Sequence, residues 1–168
     1  MQCSTATKPA PALPGRPPVP VADAKKALRE LEGRWEGTFA HALGRYNAVL
    51  TIKTGWSGKT EATLDLLELQ FREKLTDKLV LKPAKDGWDA VWTSSIAPEA
   101  SLQGTLALGD ERVEGTAAAG RQADLSFVNG ASHRIAYRIA GKDLEVAVAS
   151  AVPGAPPQTL RAVFTRKK

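Results

Sequence analysis

One cysteine, Cys3, stands in a chain of 168 residues. A single thiol closes no intramolecular disulfide and builds no thiolate metal cluster. Histidine is nearly as scarce: His41 and His133 are the whole supply, thin for a metal centre or a proton relay. No apolar run approaches the roughly 20 residues that a transmembrane helix needs. A Gly-rich phosphate loop, a nucleophile elbow and zinc-type spacing are all missing. Glu61 and Asp65 share the outward face of one strand, so as a carboxylate pair they read as solvated. These absences predict a protein that is not an enzyme and that carries no metal and no cofactor. A hydrolase or isomerase using His41 or His133 ranks last, because neither has a partner in sequence.

Acidic residues are missing from both ends. All 18 lie between Asp23 and Glu145, whereas Lys8 and Arg16 sit near the start and Arg166, Lys167 and Lys168 close the chain. The net charge of +5 is carried by those five ends, and the body is formally neutral. A neutral body lacks the domain-wide basic patch that phosphate backbones require, so nucleic acid is excluded as a partner.

Proline, by contrast, is concentrated. Pro9, Pro11, Pro14, Pro17, Pro18 and Pro20 fall within residues 1–20, which hold almost no bulky apolar side chain. Repeated X-Pro steps favour extended conformations, so this stretch predicts a disordered Pro/Ala-rich tether ahead of one domain over 21–168. From Val21 to Gly33 the pattern becomes helical. Asp23 suits an N-cap, Ala24, Ala27, Leu28 and Leu31 recur on one face, and Gly33 supplies a stop, giving about three turns.

After Gly33 the hydrophobic period becomes two. Tyr46, Ala48, Leu50 and Ile52 alternate with polar neighbours, as do Trp88, Ala90 and Trp92, then Leu102, Gly104, Leu106 and Leu108. Later segments repeat it through Ala123-x-Leu125-x-Phe127, Ile135-x-Tyr137-x-Ile139, Leu144-x-Val146-x-Val148 and Leu160-x-Ala162-x-Phe164. Such alternation marks antiparallel strands with one wet face, and the lack of crossover helices excludes a parallel α/β fold. Turn chemistry at Asp86-Gly87, Gly109-Asp110, Asn129-Gly130 and Gly141-Lys142-Asp143 links them as hairpins. The phase slips where Leu64 and Leu66 give way to Leu67, Leu69 and Phe71, which predicts a bulge near Leu66-Leu67 or a short helical turn through 68–76.

Too many strands result for a flat sheet under one helix. The sequence therefore predicts an all-β fold, an antiparallel up-and-down β-barrel of about eight to ten strands with one short N-terminal helix. A weak repeat agrees: Trp35-Glu36-Gly37-Thr38, Leu102-Gln103-Gly104-Thr105 and Val113-Glu114-Gly115-Thr116 each place a glycine on the inward parity, where strands coil tightly.

The stretch Leu31-Glu32-Gly33-Arg34-Trp35-Glu36-Gly37 resembles the Gly-x-Trp opening of lipocalin-like proteins, in which a short helix precedes the first barrel strand. The closing Ala162-Val163-Phe164-Thr165-Arg166 resembles the last strand of such barrels, whose basic residue packs over that tryptophan. The long first loop and later signature motifs of lipocalins are not recognisable, and a related bacterial barrel with another strand number fits the pattern equally. The N-terminus resembles a mature bacterial lipoprotein: Cys3, then Ser4-Thr5-Ala6-Thr7 and the Pro/Ala tether. That resemblance implies a lipidated Cys3 and a place in the periplasm, anchored to the outer membrane, with membrane contact only through Cys3. Only Met1 and Gln2 precede Cys3, so the alternative is a free thiol on a cytoplasmic arm.

For the site, Trp88 and Trp92 share one strand face, and Tyr46, Phe127 and Tyr137 take the inward parity of theirs. They suit the lining of a pocket for a small hydrophobic ligand, with a Tyr hydroxyl or His133 as the polar contact. The same residues also read as the core of a packed barrel, which is the reading their inward parity favours. Trp56, in the Gly55-Trp56-Ser57-Gly58 turn, is expected to fold back as a lid on the rim. Two functions follow: an envelope barrel that holds a small hydrophobic molecule without transforming it, or an envelope interaction or assembly module whose solid barrel docks a protein.

Overall fold

The structure, a computed structural model, describes residues 19–20, 23–41, 44–112 and 119–168. Its elements follow the chain as β1 (Val19–Pro20), α1 (Ala24–Arg29), β2 (Gly33–His41), β3 (Gly44–Thr54), β4 (Thr60–Glu68) and β5 (Lys74–Ala84). They continue as β6 (Gly87–Ser94), β7 (Ala97–Arg112), β8 (Ala119–Phe127), β9 (Ser132–Ala140), β10 (Asp143–Ala151) and β11 (Gln158–Lys167). From β2 onward each strand pairs antiparallel with its predecessor, and β11 returns to β2, Phe164 facing Gly37 and Arg166 facing Trp35. Ten strands thus close into an up-and-down barrel, and closure removes the exposed edges that an open sheet would present.

The alternation legible in the sequence becomes an inside and an outside. Ala48, Leu81, Ala90, Leu106, Leu125 and Leu144 are buried within the barrel. Lys53, Asp65, Lys82, Asp89, Arg138 and Arg161 stand exposed on the outer wall. A wall charged in this way is the reverse of the apolar belt on a membrane-spanning barrel.

Inward glycines do what the repeat suggested. A Cβ on Gly104 would lie 2.3 Å from the Ser126 carbonyl oxygen and 2.8 Å from the Phe127 ring. One on Gly37 would meet the Val163 carbonyl oxygen at 2.6 Å and the Phe164 ring at 3.0 Å. In each case an aromatic ring on the neighbouring strand fills the space the glycine leaves. Gly115, the third of the set, lies outside the described residues.

Five expectations need correction. The helix is six residues long, not three turns. Asp23 does cap it, accepting from the Lys26 N–H at 2.9 Å. After Arg29 the chain leaves in tight turns, Leu31 N–H to Leu28 C=O and Glu32 N–H to Arg29 C=O. Gly33 opens β2 with φ +128°, so its freedom serves the corner into the strand rather than a helix stop.

No bulge occurs at Leu66-Leu67 and no helical turn over 68–76. β4 runs in unbroken register against β3 to Glu68, opposite Tyr46, so Leu67 points outward while Leu69 and Phe71 belong to the following turn. That turn is organised by the buried Glu68, whose carboxylate accepts from the N–H groups of Gln70 and Phe71. The register break falls instead between Thr93 and Ser94, which pair with Ser101 and Ala97.

Of the expected tether, residues 1–18 lie outside the described residues, and the last two are not free of the barrel. Val19 and Pro20 form a strand against Asp110 and Gly109, on the length of β7 that runs past its last β6 partner, Leu106. A bare strand edge invites pairing, and proline is tolerated there because an edge position needs no second donor. Lastly, Trp56 is no lid: it is 92% exposed at the tip of its turn.

Candidate functional site

α1 sits at the end of the barrel where β2 begins and β11 ends. Ala27 and Leu28 are buried there, and Trp35 beneath them is fully enclosed, at 0% exposure. The Trp35 indole N–H donates to the Leu31 carbonyl at 2.8 Å. Arg166 spans the seam, donating to the Glu32 and Glu30 carbonyls at 2.9 and 2.8 Å. A further clamp comes from the Glu32 carboxylate, which accepts from the Thr54 N–H at 2.8 Å. The carbonyls after the helix are thereby satisfied by side chains from β2 and β11, the Thr54 N–H ties β3 to Glu32, and the helix closes one end of the barrel.

Above this floor lies a cavity of about 330 Å³. An eight-stranded barrel is just filled by side chains or holds one small ligand, and ten strands enclose more. Leu28 and Leu31 of the helical segment form part of its lining, with Leu50, Leu79, Val146 and Phe164 among the strand residues around it. The wall is apolar except for Thr60, Asp77, Lys78 and Tyr137. Two of these four are already engaged. The Thr60 hydroxyl lies 3.2 Å from both the Gly58 carbonyl and the Thr54 hydroxyl. The Lys78 ammonium points outward to Glu61, at 3.9 Å.

The other two are not. Asp77 Oδ1 and the Tyr137 hydroxyl are buried, and neither has a hydrogen-bond partner among the described residues. Leaving such an atom unsatisfied costs about 1–3 kcal/mol. Burial raises the Tyr137 hydroxyl far above the ordinary phenol value; the Arg121 charge opposes this, and Glu30 and Asp110 add to it. The phenol therefore stays protonated.

Of the six side chains singled out from sequence, the cavity wall takes Trp92 and Tyr137. The other four lie elsewhere in the packing. Tyr46 stacks on Phe39 with ring centroids 5.3 Å apart. Phe127 meets the His133 ring edge-on at 5.9 Å. Trp88 is 6% exposed, with its indole N–H unpartnered among the described residues. His133 is half-buried, and its Nδ1 lies 2.8 Å from the Ser150 hydroxyl. Burial lowers its pKa from the ordinary 6.5. Register alone makes that contact, since β9 and β10 pair His133 with Ser150. No acidic side chain among the described residues hydrogen-bonds His133 to complete a relay. The side chain of His41, like Cys3, lies outside the described residues.

Sequence reasoning missed Asp77 altogether. The signal was present: it shares the parity of Leu75, Leu79 and Leu81, and an acid on an apolar parity has to face inward.

The described residues hold no group of histidine, cysteine and acidic side chains placed for a metal ion. Glu61 and Asp65 are surface groups, the first beside Lys59 at 3.6 Å and the second accepting from the Thr76 hydroxyl at 2.8 Å. Comparison of the chain with protein-family models and with curated proteins finds no match.

Proposed function

We propose that this protein is a non-enzymatic binding barrel, lipocalin-like in the broad sense, that holds one small hydrophobic molecule in its interior. The cavity carries this reading. At about 30 Å³ per water-sized group, 330 Å³ has room for about eleven. An apolar hollow of that size leaves its lining without contacts, and an apolar guest supplies them. The few polar groups on its wall are too sparse to hold a cluster of water, since each water needs two to four partners.

Calorimetry with a neutral apolar probe of about ten heavy atoms tests the proposal. The wild-type protein should bind it, and Ala62→Phe, which builds a ring into the cavity wall, should abolish binding while the protein remains folded. Equal binding by both forms would sink the reading.

A second reading, a docking module, draws support from a different observation. Phe71, Ile96 and Val128 are 71%, 77% and 80% exposed, and their turns all fall at the end of the barrel remote from α1. Exposed apolar groups gathered at one end suit contact with another protein. This reading places function at the rim and predicts that Ala62→Phe changes nothing.

For location, we propose a barrel tethered at the cell envelope through a lipid on Cys3. A neutral body offers no attraction to anionic lipid, and terminal basic residues add about 1 kcal/mol each. Acyl chains contribute about 0.8 kcal/mol per buried methylene, which is far more. Membrane fractionation should lose the protein on Cys3→Ser and retain it on Lys167→Ala with Lys168→Ala. Arg166 is excluded from that control because it closes the barrel. A protein made with its native upstream sequence that stays soluble and unacylated would favour the cytoplasmic alternative.

A further inference from the structure

Just past the apolar wall the barrel carries a polar row. Ile135, Val148 and Leu160 line the cavity side by side, paired in register across β9, β10 and β11. Two residues farther from α1, on the same inward parity, His133, Ser150 and Gln158 are paired in turn. His133 Nδ1 lies 2.8 Å from the Ser150 hydroxyl, while the second ring nitrogen and the Gln158 amide have no partner among the described residues. Burial falls away in the same direction. Leu144 and Phe164, near the helix, are buried, Val148 and Leu160 are partly exposed, and of the polar row His133 and Ser150 are partly exposed and Gln158 exposed. Water therefore reaches the row, and the cavity floored by α1 opens along this side.

The row itself carries no charge. Burial holds the His133 pKa below the ordinary 6.5, so the ring is neutral at pH 7. Its basic neighbours in sequence, Arg134 and Arg161, take the outward parity, and Arg134 is forked onto Asp124 at 2.9 and 3.1 Å. Resting on the binding reading above, we infer that the cavity takes a single-chain amphiphile tail-first, its alkyl chain along the apolar wall and an uncharged head, a hydroxyl or a carbonyl, hydrogen-bonded to His133, Ser150 and Gln158. An imidazole, a hydroxyl and an amide together both donate and accept, so either head is satisfied. A carboxylate head would leave water without a cation to meet it. A polar group at the tail end would meet Leu28 and Leu31 of the floor and stay unpaired.

Calorimetric titrations at pH 8 with 1-decanol, 1,10-decanediol, decanoate and butylbenzene, each below its aggregation threshold, test this. Wild-type protein should bind decanol at least about tenfold tighter than the diol or decanoate, because each of those two leaves a polar group without a partner. Ser150→Ala combined with Gln158→Leu should weaken decanol by about five- to tenfold and leave butylbenzene, which has no head, unchanged. The double variant should hold the β-rich circular dichroism of the wild type, since neither side chain belongs to the buried core. If the diol or decanoate matches decanol, or if the double variant binds decanol as the wild type does, the inference is wrong and the binding barrel stands. If neither decanol nor butylbenzene binds, the binding reading itself fails.

Discussion

The Arg166 guanidinium lies 4.2 Å from the centroid of the Trp35 ring while donating to two carbonyls at the end of α1. One side chain thus joins the last strand, the first long strand and the helix that floors the cavity. A stacked guanidinium contributes about 0.5–2 kcal/mol, and charge-assisted hydrogen bonds add to it. Arg166→Ala should therefore destabilise the barrel by about 1–3 kcal/mol. Arg166→Lys should recover only part, because an ammonium cannot fork to both carbonyls and stack at once. Urea unfolding of the three proteins measures this; an unchanged midpoint for Arg166→Ala would remove the helix seam from the account.

Gly104→Ala should be more costly than a surface substitution by a wide margin. Its methyl would sit 2.3 Å from a backbone oxygen that two strands hold in place. Overpacking of this kind costs about 1–3 kcal/mol or more. Gly141→Ala is the comparison: nothing lies within 4 Å of its Cβ, although its φ of +63° adds a smaller backbone penalty. Thermal midpoints should fall further for Gly104→Ala, and the opposite order would contradict the inward placement of that glycine.

His133 predicts how stability depends on pH. Its folded pKa is below the ordinary 6.5, so the unfolded chain takes up a proton that the folded protein still refuses. Stability is complete above pH 6.5, declines as pH falls through the window between 6.5 and the folded value, and levels off beneath it. The slope within that window is at most about 1.4 kcal/mol per pH unit. His133→Gln keeps a hydrogen-bonding group opposite Ser150 and should flatten this part of the profile. Unfolding curves at pH 7.5 and 5.5 with equal losses in both proteins would assign the decline to other groups.

Tyr137→Phe separates stability from binding. In the ligand-free protein its hydroxyl is buried and unpartnered, so its removal should leave stability unchanged or raise it by about 1 kcal/mol. Affinity for an apolar ligand should be unchanged, because the hydroxyl presents almost no surface to the cavity. A variant that is less stable than the wild type would show that the hydroxyl is paired within the protein.

Much of this fold was legible in the sequence because a barrel strand is wet on one side only. Ala48, Leu50 and Ile52 on β3, or Leu144, Val146 and Val148 on β10, carry the period openly. The Trp35 and Arg166 pairing was legible through resemblance rather than period. What failed depended on three-dimensional neighbours. Leu67 looked like a phase slip because an outward leucine breaks the pattern, yet strand pairing on both sides holds the register through it. Trp56 seemed too large to leave in water, but it stands exposed at the tip of a tight turn closed by the Gly58 N–H on the Gly55 carbonyl. Of the site, aromatic parity found Trp92 and Tyr137. It could not separate them from Trp88 and Phe127, since a position that faces a cavity and one that faces a packed neighbour have the same parity. Asp77 was missed because attention to apolar alternation passes over the one polar residue that interrupts it.

The central claim is that the interior, and not the rim, is where a small hydrophobic molecule goes. Methyl NMR spectra of the leucine- and valine-labelled protein, recorded with rising 1-decanol, test it most directly. The account predicts saturable shifts at Leu50, Leu79, Leu106, Val146 and Val148, with Leu67 and Val163 of the outer face unmoved. Shifts confined to Leu69, Val128 and Val152 at the rim, or none at all, would contradict it.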